Sequence, residues 1–120
     1  MAKIFLLDDD EDVHELVRVF LWEHDVHSAL ALAGANRLFC ERFDLVLLDM
    51  NLPLVTGKEV ARILKARGVD MARVYLFSAR SETELREAVI ELGVAGYIAK
   101  TLDPELLTLR FETALSCRTT

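Results

Sequence analysis

The chain has 120 residues, 52% hydrophobic and 28% charged, which predicts one folded domain over residues 1–120 and excludes disorder. Its 20 acids and 14 bases give a net charge of −6. Five of the acids run consecutively from Asp8 to Asp12, and without them the count is 15 acids against 14 bases, so the acidity is one local feature and nothing offers the basic face that nucleic acid requires. No apolar run is long enough to cross a bilayer, and no signal peptide precedes the first strand-like run. Cys40 and Cys117 lack metal-ligand or redox spacing. The expectation is a cytoplasmic domain with no output domain in this chain.

Two hydrophobic periods alternate along the sequence. Lys3 to Leu7 reads as an apolar strand, and Asp12 to Glu23 as a helix with Val13, Leu16, Val17, Phe20 and Leu21 inward. Val26 to Leu30 is a weaker strand and Ala33 to Arg42 a short helix. Asp44 to Leu48 is the third strand. Lys58 to Ala66 is a helix with Val60, Ile63 and Leu64 inward, stopped by Gly68. Val74 to Phe77 is the fourth strand. Ser81 and Glu84 form a capping-box pattern opening a helix that ends at Gly93. Val94 to Ala99 is the fifth strand, and Asp103-Pro104 caps a last helix reaching about Cys117. Trp22, Phe20, Phe39 and Phe111 read as core or helix-packing residues. His14, His24 and His27 lie on or just after the first helix and take structural roles.

Five βα units with apolar strands predict an α/β fold: a parallel sheet covered on both faces, doubly wound in the order 2-1-3-4-5. Ligands of such sheets bind at the carboxyl ends of the strands. Reading only those ends yields Asp8 and Asp9, Asp49, Ser78 and Lys100. Each alone has a plain structural reading as a solvated acid, a turn serine or a surface lysine. The fold brings them together. Like charges about 4 Å apart repel by roughly 4 kcal/mol at an effective dielectric near 20, so three carboxylates there call for a cation. Mg²⁺ held by carboxylates, a lysine and a hydroxyl around one further carboxylate form a phosphoryl-transfer site. Asp49 is the natural nucleophile, with Asp9 and Asp8 holding the metal.

Leu6-Leu7-Asp8-Asp9-Asp10, Leu47-Leu48-Asp49-Met50-Asn51-Leu52-Pro53 with Gly57, Phe77-Ser78-Ala79, and Gly96-Tyr97-Ile98-Ala99-Lys100 resemble the receiver domain of two-component response regulators, over essentially the whole chain. The resemblance implies a flavodoxin-like, CheY-like three-layer sandwich. It implies that Asp49 accepts a phosphoryl group from the phosphohistidine of a sensor histidine kinase or phosphotransfer protein. Mg²⁺ would be bound by Asp8, Asp9, Asp49 and the backbone carbonyl of Asn51. Ser78 would turn toward the phosphoryl oxygens, Ala79 leave them accessible, Lys100 pair with the phosphorylated aspartate, and Tyr97 act as the aromatic switch. The readout would be the surface of the fourth helix, fifth strand and fifth helix, acting on a downstream protein or output domain as a monomer or a phosphorylation-dependent homodimer.

One position departs from the family. Lys100 is followed by Thr101 where proline, in a cis bond, is usual; a cis bond to a residue other than proline costs about 3 kcal/mol. Three other readings compete. A flavin binder of the same fold needs a glycine- and hydroxyl-rich loop after the first strand, where this chain has five acids. An aspartate-nucleophile phosphatase needs an acid/base aspartate two residues after the nucleophile, where this chain has Asn51, so turnover as an enzyme is not expected. The third is a receiver-like interaction module that is never phosphorylated.

Overall fold

The computed structural model describes residues 1–52, 55–101 and 103–116; Pro53 and Cys117 lie outside them. The described elements are β1 (Lys3–Leu7), α1 (Glu11–Phe20), β2 (Asp25–Ala29), α2 (Asn36–Cys40), β3 (Leu45–Leu48), α3 (Gly57–Ala66), β4 (Val74–Ser78), α4 (Glu82–Leu92), β5 (Gly96–Ala99) and α5 (Pro104–Ser116). All four strand pairings are parallel, and the order is β2-β1-β3-β4-β5, as the sequence predicts.

The strands alternate their side chains between two cores. Phe5, Leu7, Val46, Leu48, Val74 and Leu76 pack under α2, α3 and α4, with Leu38, Val60, Leu64 and Leu85 facing them. Ile4, Leu6, Leu45, Leu47 and Phe77 pack on the other side, under α1 and α5, against Val17, Leu21, Leu107 and Phe111. Burial on both faces explains why these strands are apolar throughout.

Local chemistry sets the helix ends. The Asp10 side chain caps α1 by accepting from the Asp12 amide at 2.9 Å, and Glu11 and Asp12 favour its first turn. The acidic run therefore serves two purposes, with its last three members starting a helix. Ser81 caps α4 by accepting from the Glu84 amide at 3.3 Å, and Gly93 ends it at φ +71°, a conformation that suits glycine. The reciprocal capping box forms at Thr56 and Glu59, which open α3. Asp103 caps α5 through the amides of Glu105 and Leu106.

Several expectations need correction. Trp22 is 76% exposed, because α1 ends at Phe20 and its buried stripe is His14, Val17 and Leu21. Leu16, one position off that stripe, is exposed as well. Phe20 and Phe39 are half-buried against the cores, and Phe111 is fully buried. Ile63 is half-buried, at the margin of the α3 face. The helix expected over Ala33 to Arg42 is a 3₁₀ turn, Leu32–Gly34, followed by the five-residue α2, whose start has no side-chain cap. His27 lies within β2, as the strand expected over Val26 to Leu30 implies. No described peptide bond is cis, so Lys100–Thr101 is trans. No helix among the described residues is long and apolar enough to cross a membrane.

Candidate functional site at the carboxyl edge of the sheet

The parallel ladder continues one residue beyond the strands and fixes the site residues by their backbones. The Asp8 amide donates to Ala29 O at 3.2 Å, the Asp49 amide to Leu7 O at 2.9 Å, and the Lys100 amide to Ser78 O at 2.8 Å. Asp8 and Asp49 therefore emerge side by side at the switch point between β1 and β3, with Ser78 closing β4 and Lys100 following β5 on the same edge.

Asp8, Asp49 and Ser78 are buried and Asp9 is exposed. One carboxylate oxygen from each of Asp8, Asp9 and Asp49 falls within 4.8 Å of the others. Asp8 Oδ1 accepts from the Asp10 amide at 3.0 Å. Asp8 Oδ2 accepts no hydrogen bond, although Lys100 Nζ stands 2.9 Å away as an ion-pair partner, off the hydrogen-bonding direction. A buried carboxylate oxygen in that condition, grouped with two more hard oxygen donors, fits a small divalent cation such as Mg²⁺.

Asp49 Oδ1 accepts from the Asn51 amide at 3.2 Å. Burial pushes the Asp49 carboxyl above its ordinary range; the Asn51 amide opposes this, Asp8 adds to it, Lys100 opposes it, and Asp9 adds slightly. Lys100 pairs with Asp8 here, not with Asp49, and also lies 5.3 Å from the centre of the Phe77 ring. Ser78 Oγ accepts from the Arg80 amide at 3.2 Å. Ala79 is exposed beside it, and Tyr97 is half-buried against the α3 and α4 side of the core. Gly57 begins α3, where an added Cβ would meet only ordinary contacts, 3.7 Å from Leu92 and 3.9 Å from Met50 O. Asn51 is exposed at the mouth of the site.

Sequence reasoning missed three features. The Arg80 guanidinium donates to Asn51 Oδ1 at 2.5 Å and links the β3–α3 and β4–α4 loops across the site; no pattern in the sequence pairs those residues. An apolar groove of about 320 Å³ opens beside Lys100, lined by Val13, Leu16, Ala79, Thr101 and Leu107. Finally, His14 is buried, with Nε2 2.6 Å from Asp8 O. Its spacing with Val17 and Leu21 was a readable signal.

Residues 4–112 match the family described as response regulator receiver domain. The chain is similar to response regulator ArlR of Staphylococcus saprophyticus, 26% identical over 119 residues that cover 96% of this chain and 53% of that protein. It spans about half the length of the curated relatives it matches. A two-component response regulator from Clostridium difficile has the same fold at TM-score 0.82, with 19% identity and 100% of both chains covered. DrrB, an OmpR/PhoB homologue of Thermotoga maritima, is 30% identical; the match covers 97% of this chain and 53% of that one at TM-score 0.75.

Proposed function

The chain belongs to the response regulator receiver domain family, and on that premise we propose that it accepts a phosphoryl group on Asp49 from a phosphohistidine of a sensor kinase or phosphotransfer protein. One observation carries the reading: Asp49 is buried at the sheet edge with one oxygen held by the Asn51 amide, and two more acids and a lysine converge on it.

Asp49 reacts as the carboxylate. One of its oxygens forms a bond to phosphorus while the bond from phosphorus to the imidazole nitrogen breaks; the departing imidazole takes a proton from solvent and leaves neutral. Asp8, Asp9, Asp49 and the Asn51 carbonyl would hold Mg²⁺. Bound there, it supplies positive charge to phosphoryl oxygens that the three acids would otherwise repel. Lys100 has its ammonium at Asp8 before the reaction, and the new negative charge at Asp49 draws it across. The Ser78 hydroxyl uses an oxygen lone pair on the Arg80 amide, which leaves its proton free for a phosphoryl oxygen. Its movement opens space for Tyr97, and the surface of α4, β5 and α5 changes with it. Asn51 stands where a phosphatase of this chemistry has its acid/base, so the acyl phosphate is lost only slowly to water. The domain acts as a signalling switch, not a turnover enzyme, passing its state to a downstream protein or output domain.

The test is incubation with acetyl phosphate and Mg²⁺ followed by intact mass, with Asp49→Asn as control and beryllofluoride as a non-hydrolysing mimic. One added phosphoryl group, absent from the control and lost on chelation, is the expected result. No adduct, together with no beryllofluoride binding, would assign the chain to the receiver-like modules that work unmodified.

A further inference from the structure

Among the described residues four polar or charged residues are buried: Asp8, His14, Asp49 and Ser78. Three have been placed in the site. The fourth, His14, sits in the second half-turn of α1 and reaches back to the last residue of the first loop's entry, its Nε2 2.6 Å from the carbonyl oxygen of Asp8. A carbonyl carries no proton, so Nε2–H is the donor.

We infer that His14 is a positioning residue for the cation site: by holding the Asp8 carbonyl, it fixes the peptide between Asp8 and Asp9 and thereby the directions in which both carboxylates leave the chain. Two further bonds hold Asp8, its amide to Ala29 O and its Oδ1 to the Asp10 amide. The first does not touch the peptide that leads into Asp9, and the second spans it only through the Asp8 side chain, whereas His14 bonds its carbonyl oxygen directly. Packing does not account for the imidazole. Its neighbours on the buried stripe of α1 are Val17 and Leu21, and an aliphatic side chain would suit that stripe without the cost of burying a polar ring. The retained polar group is explained by what it touches. Partners behind the ligands of a metal site orient those ligands, and their loss typically weakens metal binding about tenfold or more.

The inference rests on the Mg²⁺ reading above, and the experiment separates the two. Mg²⁺ affinity is measured by calorimetry on the unchanged chain and on His14→Leu, His14→Gln and His14→Asn. Thermal unfolding in chelator and hydrogen exchange at the Asp10 amide serve as metal-free readouts. A glutamine amide reaches about as far as Nε2, whereas the asparagine amide is shorter. His14→Leu and His14→Asn should bind Mg²⁺ about tenfold more weakly and exchange the Asp10 amide faster. His14→Gln should restore both. The Gln–Asn pair carries the test if His14→Leu fails to fold. Equal Mg²⁺ affinity across the folded variants would overturn the positioning role. An unchanged chain that takes up no Mg²⁺ would instead overturn the metal reading, and the role with it.

Discussion

The two ends of the parallel strands use the same charged residue types to opposite effect. At the amino ends three acids each have a base or amide to answer them: Glu41 pairs with Lys3 and, at 2.6 Å, with Arg37; Asp44 accepts from the Lys3 amide at 2.8 Å and faces Arg73 at 3.7 Å; and Asp70 pairs with Arg73 at 3.2 Å. Glu41 is accordingly held down to about 2 by hydrogen bonds from Arg37 and then Lys3. At the carboxyl ends three acids share one lysine, and Asp49 is pushed upward. One end is arranged to hold the fold together. The other keeps an unfavourable charge arrangement that a bound cation would relieve. Strain of this kind concentrates at functional sites, where stability is traded for chemistry.

Saturating the acidic end should produce the largest change. Mg²⁺ at a hundred times its Kd should stabilise the unmodified domain by about 2.7 kcal/mol, read as a rise in Tm that chelator reverses. A Tm indifferent to millimolar Mg²⁺ would remove the contrast between the ends. Next comes Asp49→Asn. Because burial raises the Asp49 carboxyl in the folded state, its contribution favours folding below the ordinary carboxylate range and is lost as pH rises through the raised value. Without metal, Asp49→Asn should therefore stabilise the domain at neutral pH, by roughly 0.5–2 kcal/mol. The gain should disappear in acid, where Asp49 is itself neutral. Denaturant unfolding at several pH values measures both halves of this expectation.

Much of this contrast was legible in the sequence because it depends on topology and residue type. Continuous apolar runs such as Leu45 to Leu48 announce buried parallel strands, and the strand order then puts Asp8, Asp49, Ser78 and Lys100 at one edge. What stayed hidden depends on phase and contact. Whether Leu16 or His14 joins Val17 on the buried side of α1 turns on a small rotation of the helix, which a run of hydrophobic letters does not fix. Trp22 falls just past the end of α1, where helical spacing no longer describes its direction. The Arg80–Asn51 and Lys100–Asp8 contacts join side chains from different loops. Sequence places those loops close together, but the choice of partner is made by side-chain geometry.

Asp9→Asn sharpens the comparison further. Asp9 is exposed, so water already screens its repulsion with Asp8 and Asp49. Removing its charge should raise stability without metal by less than Asp49→Asn does, while weakening Mg²⁺ binding. A fall in metal-free stability would show that Asp9 supports its loop.

The smallest effect belongs to the other end. With its folded value held low, Glu41 contributes stability that is present above the ordinary carboxylate range and lost as pH falls toward about 2. Arg37 is exposed, and Lys3 and Glu41 are partly exposed, so the contribution is screened and small. Glu41→Gln should lower Tm slightly at pH 7 and low salt, with the difference shrinking in molar salt and vanishing near pH 2. The sign is what matters: removing an acid at the amino end should cost stability, whereas removing one at the carboxyl end should add it. Thermal unfolding of Glu41→Gln beside Asp9→Asn, in one buffer series, reads both signs. The same sign for both would mean that net charge governs stability here, and that the arrangement of charge at the two ends does not.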